Sequence, residues 1–317
     1  MKVLVTGGTG YIGSVVTAHL LEAGHEVVVL DNLSQGHEDA VPEGVRFIKA
    51  DIADIETVLT KEDGIEAVLH FAALMSVGES MQKPELYWHN NTIGSLKLLE
   101  GMRALGIKKI IFSSTAATYG EPLKVPITED EPTKPTSTYG MTKLAIDMAI
   151  TSYAHAFDFA ATSLRYFNVA GAYGKYGERH PVESHIIPLA LRAASQEKPE
   201  FTLFGRDYPT DDGTCIRDYV HVADLARAHL LALDALQPGK HDIYNLGNGD
   251  GFSNLAVVQA VEEVTGKKLT ILDAPRRAGD PAVLIASSEK ARKVLGWEPQ
   301  KPELTTMVQD AWEFYKN

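Results

Sequence analysis

The sequence predicts an α/β fold built on a doubly wound parallel sheet, followed by a smaller mixed α/β part. Two observations carry this. Residues 2–6 (KVLVT) form a short apolar run that leads straight into Gly7-Gly8-Thr9-Gly10-Tyr11-Ile12-Gly13, then an amphipathic stretch, then a second apolar run that stops at Asp31. Strand-like and helix-like segments then alternate through the first half of the chain. The first pattern is a dinucleotide-binding fingerprint. Glycines at 7, 10 and 13 let the backbone turn tightly and approach a pyrophosphate, and the helix N-terminus presents N–H groups to its negative charge. Asp31 stands where an acid accepts hydrogen bonds from an adenosine ribose. The second pattern, apolar runs separated by helices, describes a parallel sheet covered on both faces, which makes the fold Rossmann-type.

Strands are expected at residues 3–6, 27–30, 46–50, 67–71, 109–113 and 161–165, and helices at 12–23, 55–60, 84–105 and 138–155. Such sheets bind ligands beyond the carboxyl ends of their strands. Asp31, Asp51, the segment 71–73 and the segment 113–115 all fall there. After Asn168 the texture changes. Residues 171–184 are rich in Gly, Tyr, His and charge and read as a loop, and 208–213 is turn-rich. A helix is expected at 222–236, a strand at 242–246, a helix at 253–265, a strand at 268–272 and two helices in the tail. The chain is accordingly divided into a nucleotide-binding domain, 1–168, with 219–248 returning to its sheet, and a second domain, 169–317, that caps the crevice.

Composition narrows the function. Of 317 residues, 44% are hydrophobic and 23% charged, as in ordinary globular proteins. The net charge of −12 argues against nucleic acid or an anionic membrane as partner. The one cysteine, Cys215, excludes an internal disulfide and a cysteine-rich metal site, and reads as a packing residue. No apolar stretch approaches the roughly 18 residues of a membrane span, and no leader is apparent. A cytoplasmic location is expected. His180 and His185 flank Glu183, but the spacing fits no common zinc motif, and no metal is expected.

The reacting group is written in Tyr139-Gly140-Met141-Thr142-Lys143. This opens an expected helix, so Tyr139 and Lys143 share a face. A lysine cation beside a tyrosine favours the phenolate and lowers its pKa from about 10, which makes a base able to take a hydroxyl proton.

With Ser113-Ser114-Thr115 at a strand end, these elements resemble the extended short-chain dehydrogenase/reductase family. Within it, the whole chain resembles the UDP-hexose 4-epimerases. The motifs are TGGTGYIGS at 6–14, DNLS at 31–34, HFAA at 70–73, VGES at 77–80, FSSTAATYG at 112–120 and YGMTK at 139–143. They continue with RYFN at 165–168, DYPTDDGT at 207–214, RDYVHVADLA at 217–226, YNLG at 244–247 and RRAGDP at 276–281. The resemblance implies NAD contacts from Tyr11, Ile12, Asp31, Asn32, Asp51, Ile52, Phe71, Ala72, Ala73, Asn90, Lys143 and Phe167. It makes Tyr139 the base for the sugar 4-hydroxyl, hydrogen-bonded also by Thr115. It places Asn168, His185, Ile186, Phe204, Arg217, Asn254, Arg277 and Asp280 around the UDP-sugar, with Leu284 at the position that limits sugar size. Arginines at 217 and 277 suit a pyrophosphate, because the guanidinium fork binds its oxygens in pairs.

Three positions depart from a familiar form of the pattern. Met75 stands where some members have Lys near the cofactor phosphates, His185 replaces an Asn beside the substrate, and Leu284 replaces a Tyr or a small residue. Related 4,6-dehydratases carry an Asp-Glu pair after the Thr. Here Ala116 and Ala117 follow Thr115, and methyl groups transfer no protons. The implied reaction is interconversion of UDP-galactose and UDP-glucose through transient oxidation at sugar carbon 4. The alternatives are an epimerase preferring UDP-N-acetylhexosamines or UDP-uronates, and a non-catalytic NAD-binding regulator on the same fold. The resemblance also implies a homodimer built from helices 84–105 and 138–155.

Overall fold

The computed structural model describes residues 1–276 and 281–316. Six strands, β1 (Lys2–Thr6), β2 (Glu26–Asp31), β3 (Arg46–Lys49), β4 (Ala67–His70), β5 (Lys109–Thr115) and β6 (Ala160–Tyr166), join the strand His241–Leu246 in one sheet. The order is His241–Leu246, β6, β5, β4, β1, β2, β3, and every pairing is parallel. β1 is the first strand yet lies between β4 and β2, so the connections leave it in opposite directions and open a crevice at its carboxyl end.

The pleat sorts the strand residues onto two faces. Val3, Val5, Val27, Val29, Ala67 and Leu69 face one core, shared with Tyr11–Glu22 and Val222–Asp234. Leu4, Val28, Leu30 and Val68 face the other, shared with Gly94–Leu105 and Thr138–Phe157. A third core joins Ile186–Ala194, Asn254–Thr265 and Leu304–Lys316 beneath the paired strands Glu200–Phe204 and Thr270–Ala274.

Two expected helices differ. The run 84–105 is not one α-helix: a turn Pro84–Tyr87 leads into a π-helical segment, Trp88–Ile93, before Gly94–Leu105. Asn91 supplies the reason. It is fully buried, and its side chain bonds the backbone of Leu74 in both directions and the Thr142 hydroxyl. Widening the helix seats that amide and turns Asn90 toward the crevice. The run 55–60 is a 3-10 turn, Ile52–Asp54, followed by Ile55–Val58, because Leu59 leaves the helix in an extended conformation. β5 runs on to Thr115, two residues beyond its expected end.

Candidate active site

The crevice is a cavity of about 420 Å³ at the carboxyl ends of the central strands. One wall is the glycine turn. Gly7 has φ +74°, and a Cβ there would lie 2.5 Å from the Ala72 amide nitrogen, so only glycine lets β1 and β4 close this floor. Gly10 starts the helix Tyr11–Glu22 with no side-chain cap, which leaves the first-turn N–H groups to a ligand. At the end of β2 the buried Asp31 carboxylate accepts from the Thr9 and Leu33 N–H groups at 3.2 and 2.8 Å. Asn32 donates to Asp51 at 3.1 Å, and Asp51 also accepts from the Ala53 N–H at 2.9 Å. Gly7, Gly10, Tyr11, Ile12, Gly13, Asp31, Asn32, Asp51, Ile52, Phe71, Ala72, Ala73, Asn90 and Phe167 all line this cavity. An uncapped helix start and a fixed ribose-level carboxylate fit a dinucleotide.

The reacting groups stand at the next strand end. Ser137 caps the helix Thr138–Phe157 by accepting from the Gly140 N–H at 3.2 Å, and Ser80 accepts from the Tyr139 N–H at 3.1 Å. A Cβ at Gly140 would sit 2.5 Å from the Ala117 carbonyl oxygen, so glycine lets the helix start press against the end of β5. Thr115 and Tyr139 line the cavity together there. The phenol is pushed up to about 12 by burial, while the Thr115 side chain pulls it down. Lys143 is 2% exposed and donates to the Ser113 carbonyl at 2.7 Å. Burial pushes it down to about 7, and the charge of Asp147 pulls it up. The lowering of Tyr139 by Lys143 expected from sequence is therefore corrected: the ammonium is bound elsewhere, and desolvation governs both groups.

Beneath lies a network with no counterpart in the motif reading. Asp147 pairs with Arg165 at 2.9 Å, both nearly fully buried, and accepts from Ser114 at 3.1 Å. The Tyr166 hydroxyl donates to Ser113.

On the far side, Asn168, His185, Arg217 and Leu284 line the same cavity, as does Met75. Leu284 lies beside Arg217 through the pairing of the strands Val283–Leu284 and Ile216–Arg217. Ile186, Phe204 and Asn254 do not line it. Ile186 begins the helix Ile186–Ala194, Phe204 ends a strand, and Asn254 donates to the buried Cys215 thiol at 3.1 Å. Arg277 and Asp280 lie outside the described residues. The loop read only as irregular contributes Lys175, Tyr176, Glu178, Arg179 and His180 to the cavity. Glu and His recurring at 178, 180, 183 and 185 are the signal that could have found it.

The NAD dependent epimerase/dehydratase family matches residues 3–247 of this chain. The UDP-glucose 4-epimerase of Corynebacterium glutamicum is 58% identical over 314 residues, covering 99% of this chain and 95% of that protein. A crystal structure of a UDP-glucose 4-epimerase superposes with a TM-score of 0.94 at 49% identity, covering 100% of this chain and 98% of the other. That of Bifidobacterium longum, solved in complex with NAD+ and UDP, superposes with a TM-score of 0.93 at 36% identity, covering 100% and 98%.

Proposed function

The chain belongs to the NAD dependent epimerase/dehydratase family, and we propose that it interconverts UDP-glucose and UDP-galactose as an NAD-dependent 4-epimerase. The observation that carries the reading is that Thr115 and Tyr139 share one cavity with the glycine turn and Asp31. Tyr139 takes the proton of the sugar 4-hydroxyl and returns it, and Thr115 holds the same oxygen. NAD, when bound, would supply the two-electron acceptor and donor for carbon 4. Lys143, anchored on the Ser113 carbonyl, lines the same cavity, would help hold the cofactor there, and keeps the floor of the site polar. Arg217 faces the pyrophosphate of the sugar nucleotide, and the walls around Leu284 enclose the sugar. Ala116 and Ala117 supply no acid for water elimination, which favours return of the hydride over dehydration.

The functional division we favour is a cofactor part, 1–168 with 219–248, and a UDP-sugar part made of the remainder. The pairing of His241–Leu246 with β6 supports it. A homodimer is supported by a row of exposed apolar side chains on the two long helical runs: Leu86, Ile93 and Leu96 on one, Met141 and Met148 on the other. No helix is long and apolar enough to cross a membrane among the described residues. The one cysteine, Cys215, is a buried thiol, which fits a reducing cytoplasm.

The test is direct. The chain incubated with UDP-galactose should yield UDP-glucose to equilibrium without consuming added NAD. Accumulation of NADH in proportion to sugar consumed would make it a dehydrogenase instead. Binding of UDP-sugar and NAD without turnover would make it a regulator.

A further inference from the structure

Four side chains converge on the loop that covers the cofactor wall. Glu178, His180, Glu183 and His185 each offer one ligand atom, and these atoms lie within 4.8 Å of one another. His180 Nδ1 is 3.0 Å from Glu178 Oε1 and 3.5 Å from Glu183 Oε2. His185 Nδ1 is hydrogen-bonded to Glu178 Oε1 and is 3.6 Å from Glu183 Oε1. A tetrahedral ion with N and O ligands at about 2.0–2.1 Å holds those ligands roughly 3.3 Å apart. The separations here bracket that value.

A second observation points the same way. His180 Nδ1 is buried and has no hydrogen-bond partner, although two carboxylates approach it. Ligands aimed at a common point pass close without pointing at one another, whereas a closed hydrogen-bond network aligns its members. The carboxylates are also pre-set: Glu183 Oε1 accepts from the Ser184 and His185 N–H groups at 2.7 Å each. Outer hydrogen bonds of this kind orient metal ligands. The side chains of Glu178 and Glu183 are 8% and 2% exposed, so their two negative charges need compensation in place. One divalent ion supplies it with both imidazoles neutral. Two protons on the imidazoles supply it otherwise.

We propose that Glu178, His180, Glu183 and His185 form a binding site for a divalent transition-metal ion of the zinc class. Two imidazoles and two carboxylates without a thiolate suit Zn²⁺ or Co²⁺ better than Mg²⁺, which prefers oxygen alone. The ion clasps the loop where it is already tied across the cofactor wall: Arg179 pairs with Asp39 at 2.6 Å, and the Arg179 carbonyl oxygen meets His37 Nε2 at 2.8 Å.

The full chain, dialysed against a chelator, is titrated with Co²⁺ and Zn²⁺. The expected result is one ion per chain, visible absorption bands of tetrahedral Co²⁺ that Zn²⁺ bleaches, and a higher melting temperature with Zn²⁺ but not with Mg²⁺. His180→Gln should weaken binding at least tenfold while its metal-free melting temperature stays near that of the parent. Substoichiometric binding, octahedral Co²⁺ spectra, or affinity unchanged in both His180→Gln and Glu183→Gln would overturn the proposal and leave a proton-balanced ion cluster.

Discussion

Lys143 donates to the carbonyl of Ser113 at 2.7 Å and stands 6.0 Å from the centre of the Tyr139 ring. Four residues apart on one helix, the two share a face without sharing a hydrogen bond. The lysine is a fixed floor for the site, which leaves Tyr139 beside Thr115 as the proposed proton carrier.

Tyr139→Phe keeps the ring and removes the proton carrier. Turnover should fall by about 10³-fold, within the usual range for a lost acid–base group, while UDP binds within about twofold of the parent. Stopped assays of UDP-galactose conversion and calorimetric titration with UDP measure the two. The proposed role requires a deprotonated Tyr139, and burial raises the group to about 12, so kcat/KM should climb with pH on its acid limb. Retained turnover in the variant would remove Tyr139 from the mechanism.

Lys143→Met should abolish activity and stabilise the fold. Burial pushes the ammonium from 10.5 down to about 7, so the folded chain resists the charged form. Between those values the unfolded chain binds more protons, so this group's contribution to stability rises with pH from 7 to 10.5 and its penalty is full below 7. Methionine removes a penalty on the order of a few kcal/mol, less about 1 kcal/mol for the lost bond to Ser113. Melting curves at neutral pH should show a rise of roughly 5 °C that shrinks at pH 10.

Asp31 should select NAD over NADP by at least about 100-fold, because its buried carboxylate is held by the Thr9 and Leu33 N–H groups and repels a 2′-phosphate. Asp31→Asn keeps an acceptor and loses the charge. Fluorescence titration of both cofactors should show the preference falling by roughly tenfold.

Leu284 should set the size of sugar accepted. It lines the cavity beside Arg217 and is smaller than Tyr and bulkier than Gly. One pocket wall discriminates by about 1–3 kcal/mol. UDP-glucose and UDP-galactose should be the main substrates, with weaker turnover of the N-acetyl forms. Leu284→Tyr should suppress the N-acetyl activity and Leu284→Gly should raise it. A kcat/KM ratio that stays constant across the three proteins would move the gate elsewhere, His185 being next.

Met148→Glu should yield monomers in light scattering if the helical face is a dimer interface. Met148 is 64% exposed, so the change costs the isolated fold little. A dimer that persists would place the interface on another face.

What the sequence determined by itself is local: a strand, a glycine turn, a helix and an acid at Asp31, then a Tyr and a Lys one helical turn apart. Each is set by spacing along one segment, and spacing is written in the chain. Tertiary structure alone decided where the Lys143 ammonium rests, because Ser113 is brought to it by sheet packing across a separation of 30 residues. It decided the burial that raises Tyr139, and the buried Asp147–Arg165 pair below. It bent the run 84–105 into a π-helical segment around Asn91, whose partners at Leu74 and Thr142 come from other elements. It also drew Glu178, His180, Glu183 and His185 to one point. Desolvation and convergence depend on which surfaces meet, and no local periodicity records that.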